Sequence, residues 1–132
     1  MIKFETDYYG QVIGKKNNKA IAHRKDGRPF IRSSNKAINQ QAVMVENFAY
    51  DMKMAKLRPE DFEGKNIEVV VEIWNKDRRR HDLDNQVSTI LDALVKAEVL
   101  PDDSQNVVWK ETSIYRGVDK DDPRAWITIL AK

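Results

Sequence analysis

The sequence predicts an α/β chain of the α+β kind: a small mixed sheet of three to five strands with two helices packed on it. Three observations carry this. Residues 66–75 alternate side to side with the period of a strand. Residues 35–57 and 85–98 each place apolar side chains at intervals of three and four, the period of a helix. The 132 residues contain no linker, repeat or low-complexity tract, so they read as one domain spanning 1–132.

Each element has its own warrant. Residues 2–9 read as a first strand, and residues 20–32 as a hairpin turning at Asp26-Gly27. Ser33 or Ser34 is placed to cap a helix over roughly 35–57, with Ile38, Ala42, Val45, Phe48, Ala49 and Met52 as its apolar stripe. Leu57-Arg58-Pro59 ends it. In the strand 66–75, Ile67, Val69, Val71 and Ile73 share one face, and Glu68, Val70, Glu72 and Trp74 the other. A second helix over 85–98 has Val87, Ile90, Leu91, Leu94 and Val95 as its buried face. Residues 106–116 and 125–131 read as two further strands around a turn region at Gly117–Pro123.

Composition excludes several chemistries. There is no cysteine, which removes disulfides, thiolate metal sites and cysteine nucleophiles. His23 and His81 are the only histidines, too few for a multi-histidine site. Oxygen ligands remain, which suit magnesium, manganese or calcium. No apolar run approaches a membrane span and MIKFETDYYG is not a signal peptide, so the expected location is the cytoplasm. The net charge of +2 hides an asymmetry: residues 1–60 are net +6 and residues 61–132 net −4. Lys15, Lys16, Lys19, Arg24, Lys25, Arg28, Arg32 and Lys36 form one basic group, and Lys76, Arg78, Arg79 and Arg80 another. Such groups bind phosphate or simply solvate a surface, and charge alone does not choose.

The acidic residues are more specific. Asp82 and Asp84 flank Leu83 at the mouth of the second helix, and Asp103 follows that helix. On an extended backbone the first two carboxylates point the same way, with Leu83 turned into the core. Parallel carboxylates repel unless a hard cation lies between them. Three aspartates and water would leave room for a phosphate oxygen and an attacking water, with Asp102 a weaker candidate ligand. The competing reading is structural: Asp82, Asp84 or Asn85 caps the helix, and Asp102-Asp103 makes a turn. Asn85 fits the cap better than a ligand-orienting role, and His81 fits a surface histidine better than a general acid or base. Asp103 stands a helix length, ~20 Å, from Asp82 and Asp84. Either the chain folds back or a two-fold partner donates its Asp103. Trp74, Trp109 and Trp126 could stack on bases, but their strand positions favour core packing.

The block Arg78-Arg79-Arg80, Asp82-Leu83-Asp84-Asn85, Leu91-Asp92-Ala93-Leu94 and Asp102-Asp103-Ser104-Gln105 resembles the RusA family of Holliday junction resolvases. Residues 25–34 resemble, more loosely, the family's hairpin before its first helix. The resemblance covers roughly residues 20–130. It implies a homodimeric, Mg²⁺-dependent endonuclease, with Mn²⁺ as substitute, that nicks opposing strands of four-way DNA junctions in recombination and repair. It implies no small-molecule cofactor. By position, Asp82, Asp84 and Asp103 match the catalytic acidic residues. Lys76, Arg78, Arg79, Arg80, Lys15, Lys16, Arg28 and Arg32 are the candidate DNA contacts, and without a base-reading motif they favour recognition of branched shape. Two departures stand out. Ser88 occupies the position of the family's usual lysine, for which Lys76, Arg79 or Arg80 could substitute, and His81 stands where arginine is frequent. Val12-Ile13-Gly14-Lys15-Lys16 also replaces the family's proline-rich segment. A catalytically weak or inactive branched-DNA-binding protein, or an interaction protein without nucleic acid, are the alternatives.

Overall fold

The computed structural model describes residues 1–14, 19–23, 25–33 and 35–132, with the side chains of 19–21 and 30–33 left undescribed. Eight principal elements follow in order: β1 (Ile2–Tyr9), β2 (Lys19–His23), β3 (Pro29–Ser33), α1 (Asn35–Met54), β4 (Ile67–Asn75), α2 (Leu83–Lys96), β5 (Val108–Val118) and β6 (Arg124–Ala131). A short 3-10 turn, Pro59–Phe62, lies between α1 and β4.

Four strands form a mixed sheet in the order β1-β6-β4-β5. β6 runs antiparallel to both β1 and β4, whereas β4 and β5 are parallel and joined through α2. A parallel pair needs a crossover, and α2 supplies it. β2 and β3 form a separate antiparallel hairpin whose tip carries Gly27 at φ 88°, a conformation that glycine adopts freely.

The core is one-sided. β4 alternates buried and half-buried residues along its whole length, with Ile67, Val69, Val71 and Ile73 inside. These meet Phe4, Ala125, Ile127 and Ile129 on neighbouring strands and Met44, Phe48, Ile90 and Leu94 from the helices. Burying so many large apolar side chains, at about 1.5–3 kcal/mol each, supplies the main stabilisation.

Both helices are turned relative to their most apolar stripe. α1 buries Ala37, Gln40, Met44, Phe48 and Met52, so Ile38, Ala42 and Ala49 are exposed and Val45 is half-buried. The buried Gln40 explains the rotation, because its amide is needed inside. α2 starts two residues earlier than expected and buries Asn85, Gln86 and Thr89 beside its apolar residues, while Leu91 and Val95 are only half-buried. β5 runs on through Val118, into the expected turn region.

Among the described residues no helix covers the opposite face of the sheet, which corrects the expectation for the tryptophans. Trp109 and Trp126 are 65% and 43% exposed, and Trp74 is half-buried. Trp74 and Trp126 meet edge to face at 4.7 Å, and the Arg124 guanidinium lies 4.1 Å above Trp74. Asp119 fixes that guanidinium through a 2.8 Å bond from Nη1 to Oδ2, so the cluster pins the last turn to the sheet.

Candidate functional site

The site forms where β4 ends and α2 begins. Three buried amides organise it. Asn75 Oδ1 accepts 2.8 Å hydrogen bonds from both Gln11 Nε2 and Gln86 Nε2, and Gln86 Nε2 also donates to the Val12 carbonyl at 2.9 Å. Gln40 holds Ile13 at both ends, accepting from its N–H at 2.7 Å and donating to its carbonyl at 2.9 Å. The Lys76 N–H donates to Gln11 Oε1 at 2.7 Å. Residues 11–14 are thereby clamped across the first turn of α2. Gly14 comes so close that a Cβ there would stand 2.8 Å from Asn85 Cβ. Gln11, Gln40, Asn75 and Gln86 belong to no motif in the sequence, because a single amide carries no sign of the partner it will meet. A glutamine spaced with Met44, Phe48 and Met52 was the available signal for Gln40.

Asp82 is the N-cap residue of α2, with φ −84° and ψ 103°. Its carbonyl accepts from the Gln86 N–H at 3.0 Å, but its carboxylate makes no capping bond. Asp84 lies within the first helical turn, where the positive end of the helix favours a carboxylate. Both side chains are exposed, and neither carboxylate is tied to a described side chain. The extended, strand-like arrangement expected for Asp82 and Asp84 does not occur, since the helix starts at Leu83, which is half-buried. Asn85 does not cap: it lies inside the helix at 7% exposure.

His81 is also more enclosed than expected. Its side chain is 20% exposed and its Nε2 lies 2.9 Å from Asp77 Oδ1. That hydrogen bond, helped by the Arg79 N–H and guanidinium, holds the Asp77 carboxyl below the usual carboxylate range. The loop 76–81 is therefore stapled at its start, which directs Arg79, Arg80 and His81 around Asp82. A cavity of about 360 Å³ results, lined by Asp82 and Asn85 together with Lys36, Lys76, Arg79 and Arg80. Four cations thus share a wall with Asp82, including Lys36 from α1. Ser88, one turn beyond Asp84, is half-buried.

Asp103 is not brought to this place. It lies five residues before Val108, which pairs with Ile67 at the start of β4, while Asp82 follows Asn75 at its end. The 14 residues of α2 separate the two, ~21 Å at ~1.5 Å per residue. Among the described residues no three acidic or histidine side chains gather as a metal-binding group. Asp102 is committed to its turn, since Oδ1 accepts the Asp103 N–H at 2.8 Å. Hydrogen bonding from Ser104, and next from that N–H, holds the Asp102 carboxyl below its usual range.

Of the other basic residues, Arg28 lies at the hairpin tip with its Nε 3.6 Å from Asp26. Lys15, Lys16, Arg24 and Ser34 lie outside the described residues, and Arg32 is described only in its backbone.

One uncommitted carboxylate, Asp82, at a helix start and four cations around the same cavity make a site suited to an anion such as phosphate. The family described as Endodeoxyribonuclease RusA matches residues 10–130. The chain belongs to that family, whose members are endodeoxyribonucleases acting on Holliday junctions. Comparison with curated proteins yields no match. No helix is long and apolar enough to cross a membrane among the described residues.

Proposed function

We propose that this protein is an Mg²⁺-dependent, structure-selective endodeoxyribonuclease that resolves four-way junctions by paired nicking, acting as a homodimer. The observation that carries this reading is the uncommitted Asp82 carboxylate, which shares one cavity with Lys36, Lys76, Arg79 and Arg80, with the exposed Asp84 two residues further on in the first helical turn. The donors are all oxygen, which suits a hard divalent cation, with Mn²⁺ able to replace Mg²⁺. Among the described residues no three such donors gather within one chain. Asp103 of the partner subunit supplies the third in this proposal.

Topology supports a partner. β5 is an edge strand of 11 residues, and most of its side chains are exposed. A long open edge favours pairing with another strand. Two copies joined antiparallel along β5 bring the start of one strand to the end of the other. That carries Asp103 of the partner subunit toward the end of β4, where Asp82 and Asp84 lie.

In such a site Asp82, Asp84 and the partner's Asp103 hold the ion. The chemistry it supplies is neutralisation of phosphate charge and activation of the attacking water. Arg79, Arg80, Lys36 and Lys76 bind the backbone phosphates, offsetting the repulsion that the acids impose on DNA. Lys36 and Lys76 supply positive charge at the Asp82 cavity, where the chain has Ser88 in place of the family's usual lysine.

Subunit mixing tests the arrangement. Asp82→Asn and Asp103→Asn should each bind junctions with Mg²⁺ yet fail to nick. Mixed after dissociation and reassociation, they should regain nicking, because one of the two sites then holds a complete set. A mixture that stays inactive while wild type cuts refutes sharing across subunits. A wild type that binds junctions but never nicks them supports the inactive alternative.

A further inference from the structure

The arginine loop has a second side. Arg79, Arg80, His81 and Gln86 wall the Asp82 cavity and also a neighbouring one of about 350 Å³, completed by Asn75, Arg78, Leu83 and Tyr115. The two differ in chemistry. The first contains Asp77 and Asp82, whereas no acidic side chain lines the second among the described residues.

What lines the second cavity is mixed in a useful way. Arg78 and Arg80 have no ion-pair partner among the described residues, so their guanidinium charge is available. Tyr115, on β5, is 51% exposed, and Leu83 offers a half-buried apolar side. Bare guanidinium groups suit a phosphate. A phosphate has no use for an aromatic ring and an apolar wall, whereas a nucleobase uses both.

We propose that this cavity is a subsite for one unstacked nucleotide of the strand cut at Asp82, with Tyr115 stacking on the base and Arg78 and Arg80 holding the phosphate. The inference rests on the nuclease reading above and adds the means of selecting a branch. A paired, stacked base cannot offer its face to Tyr115. Extrusion costs least where pairing and stacking are already interrupted, so the subsite favours the crossover over continuous duplex.

The test combines a protein change with a DNA change. Junction and linear-duplex binding are measured without divalent ion for wild type, Tyr115→Ala and Tyr115→Phe, on junctions with and without an abasic residue next to the cut. Tyr115→Ala should lose about 5- to 100-fold in junction affinity, the scale of one base-aromatic stack, and leave duplex affinity unchanged. Tyr115→Phe should bind as wild type. The abasic junction should weaken wild type by a similar factor and leave Tyr115→Ala unaffected. Because Tyr115 lies on the strand proposed as the subunit seam, thermal melting and sedimentation of both variants check that fold and oligomeric state are unchanged. Undiminished junction binding by Tyr115→Ala, equal loss in Tyr115→Phe, or equal abasic sensitivity in Tyr115→Ala overturns the subsite while leaving the nuclease reading in place. Failure of wild type to bind any branched DNA overturns both.

Discussion

Replacing Gly14 with alanine probes the clamp that seats residues 11–14 on α2. The new Cβ would lie 2.8 Å from Asn85 Cβ and 3.3 Å from its Cγ. Asn85 Cβ is fixed to the helix backbone, so no change of rotamer clears it. The strap cannot slide away cheaply either, because Gln40 holds Ile13 at both its N–H and its carbonyl, and Gln86 holds Val12. Overpacking of this kind costs about 1–3 kcal/mol. With an unfolding entropy of ~2.1 cal/mol/K per residue over 132 residues, the Tm should fall by about 4–11 °C. Asn85→Gly removes the opposing Cβ and by itself costs about 1 kcal/mol for a glycine in a helix. The double variant Gly14→Ala/Asn85→Gly should therefore be at least ~1 kcal/mol more stable than the sum of the single effects. Thermal and urea melts followed by circular dichroism measure all four corners of this cycle. If Gly14→Ala melts with wild type, or the effects add within ~0.5 kcal/mol, the close approach does not constrain the site.

Other outcomes follow from the same geometry. Gln40→Ala strips Ile13 of two backbone partners and should cost about 2–4 kcal/mol in urea denaturation, since unmet polar groups are expensive to bury. Burial, and next the Asp51 carboxylate, push the Asp7 carboxyl above its usual range, against a smaller pull from the Tyr9 hydroxyl. The fold thus disfavours charged Asp7, so Asp7→Asn should raise the Tm at pH 7, and the gain should vanish below about pH 4, where the carboxyl is protonated folded or unfolded. An equal gain at both pH values would remove the charge as its cause. Changing Arg78, Arg79 and Arg80 together to alanine should reduce the slope of log affinity against log salt by about 3 if each meets one phosphate, as a salt titration of junction binding would read.

Much of the fold was legible because its strands are half-covered. Ile67, Val69, Val71 and Ile73 share one face and alternate with Glu68, Val70, Glu72 and Trp74 on the other, a period with one structural meaning. Helix position was legible, but helix rotation was not. In α1 the most apolar stripe holds Ile38, Ala42 and Ala49, yet the protein buries Gln40 instead, because Ile13 needs both of its backbone groups satisfied. No local pattern reports a partner 27 residues away. The tryptophans show the converse limit: residence in a strand does not reveal which face a helix covers, and Trp109 and Trp126 are on the open face or edge. At the site, the sequence pointed to Asp82 and the arginine run by type. The parallel arrangement expected of Asp82 and Asp84 gives way to a helix that starts at Leu83, and Asp103 stays a helix length away. The amides of Gln11, Asn75 and Gln86 were not legible, since their role exists only once β4, α2 and the strap meet.

The rigid spacing imposed by α2 has a bearing on safety in a cell. On the proposed arrangement a solitary chain carries only part of the cutting apparatus, and the missing carboxylate can arrive only with a second molecule. Dilute, newly made protein would be harmless to the chromosome. Incision would then rise with roughly the square of concentration until association saturates, confining strand breakage to places where copies accumulate on the same crossover.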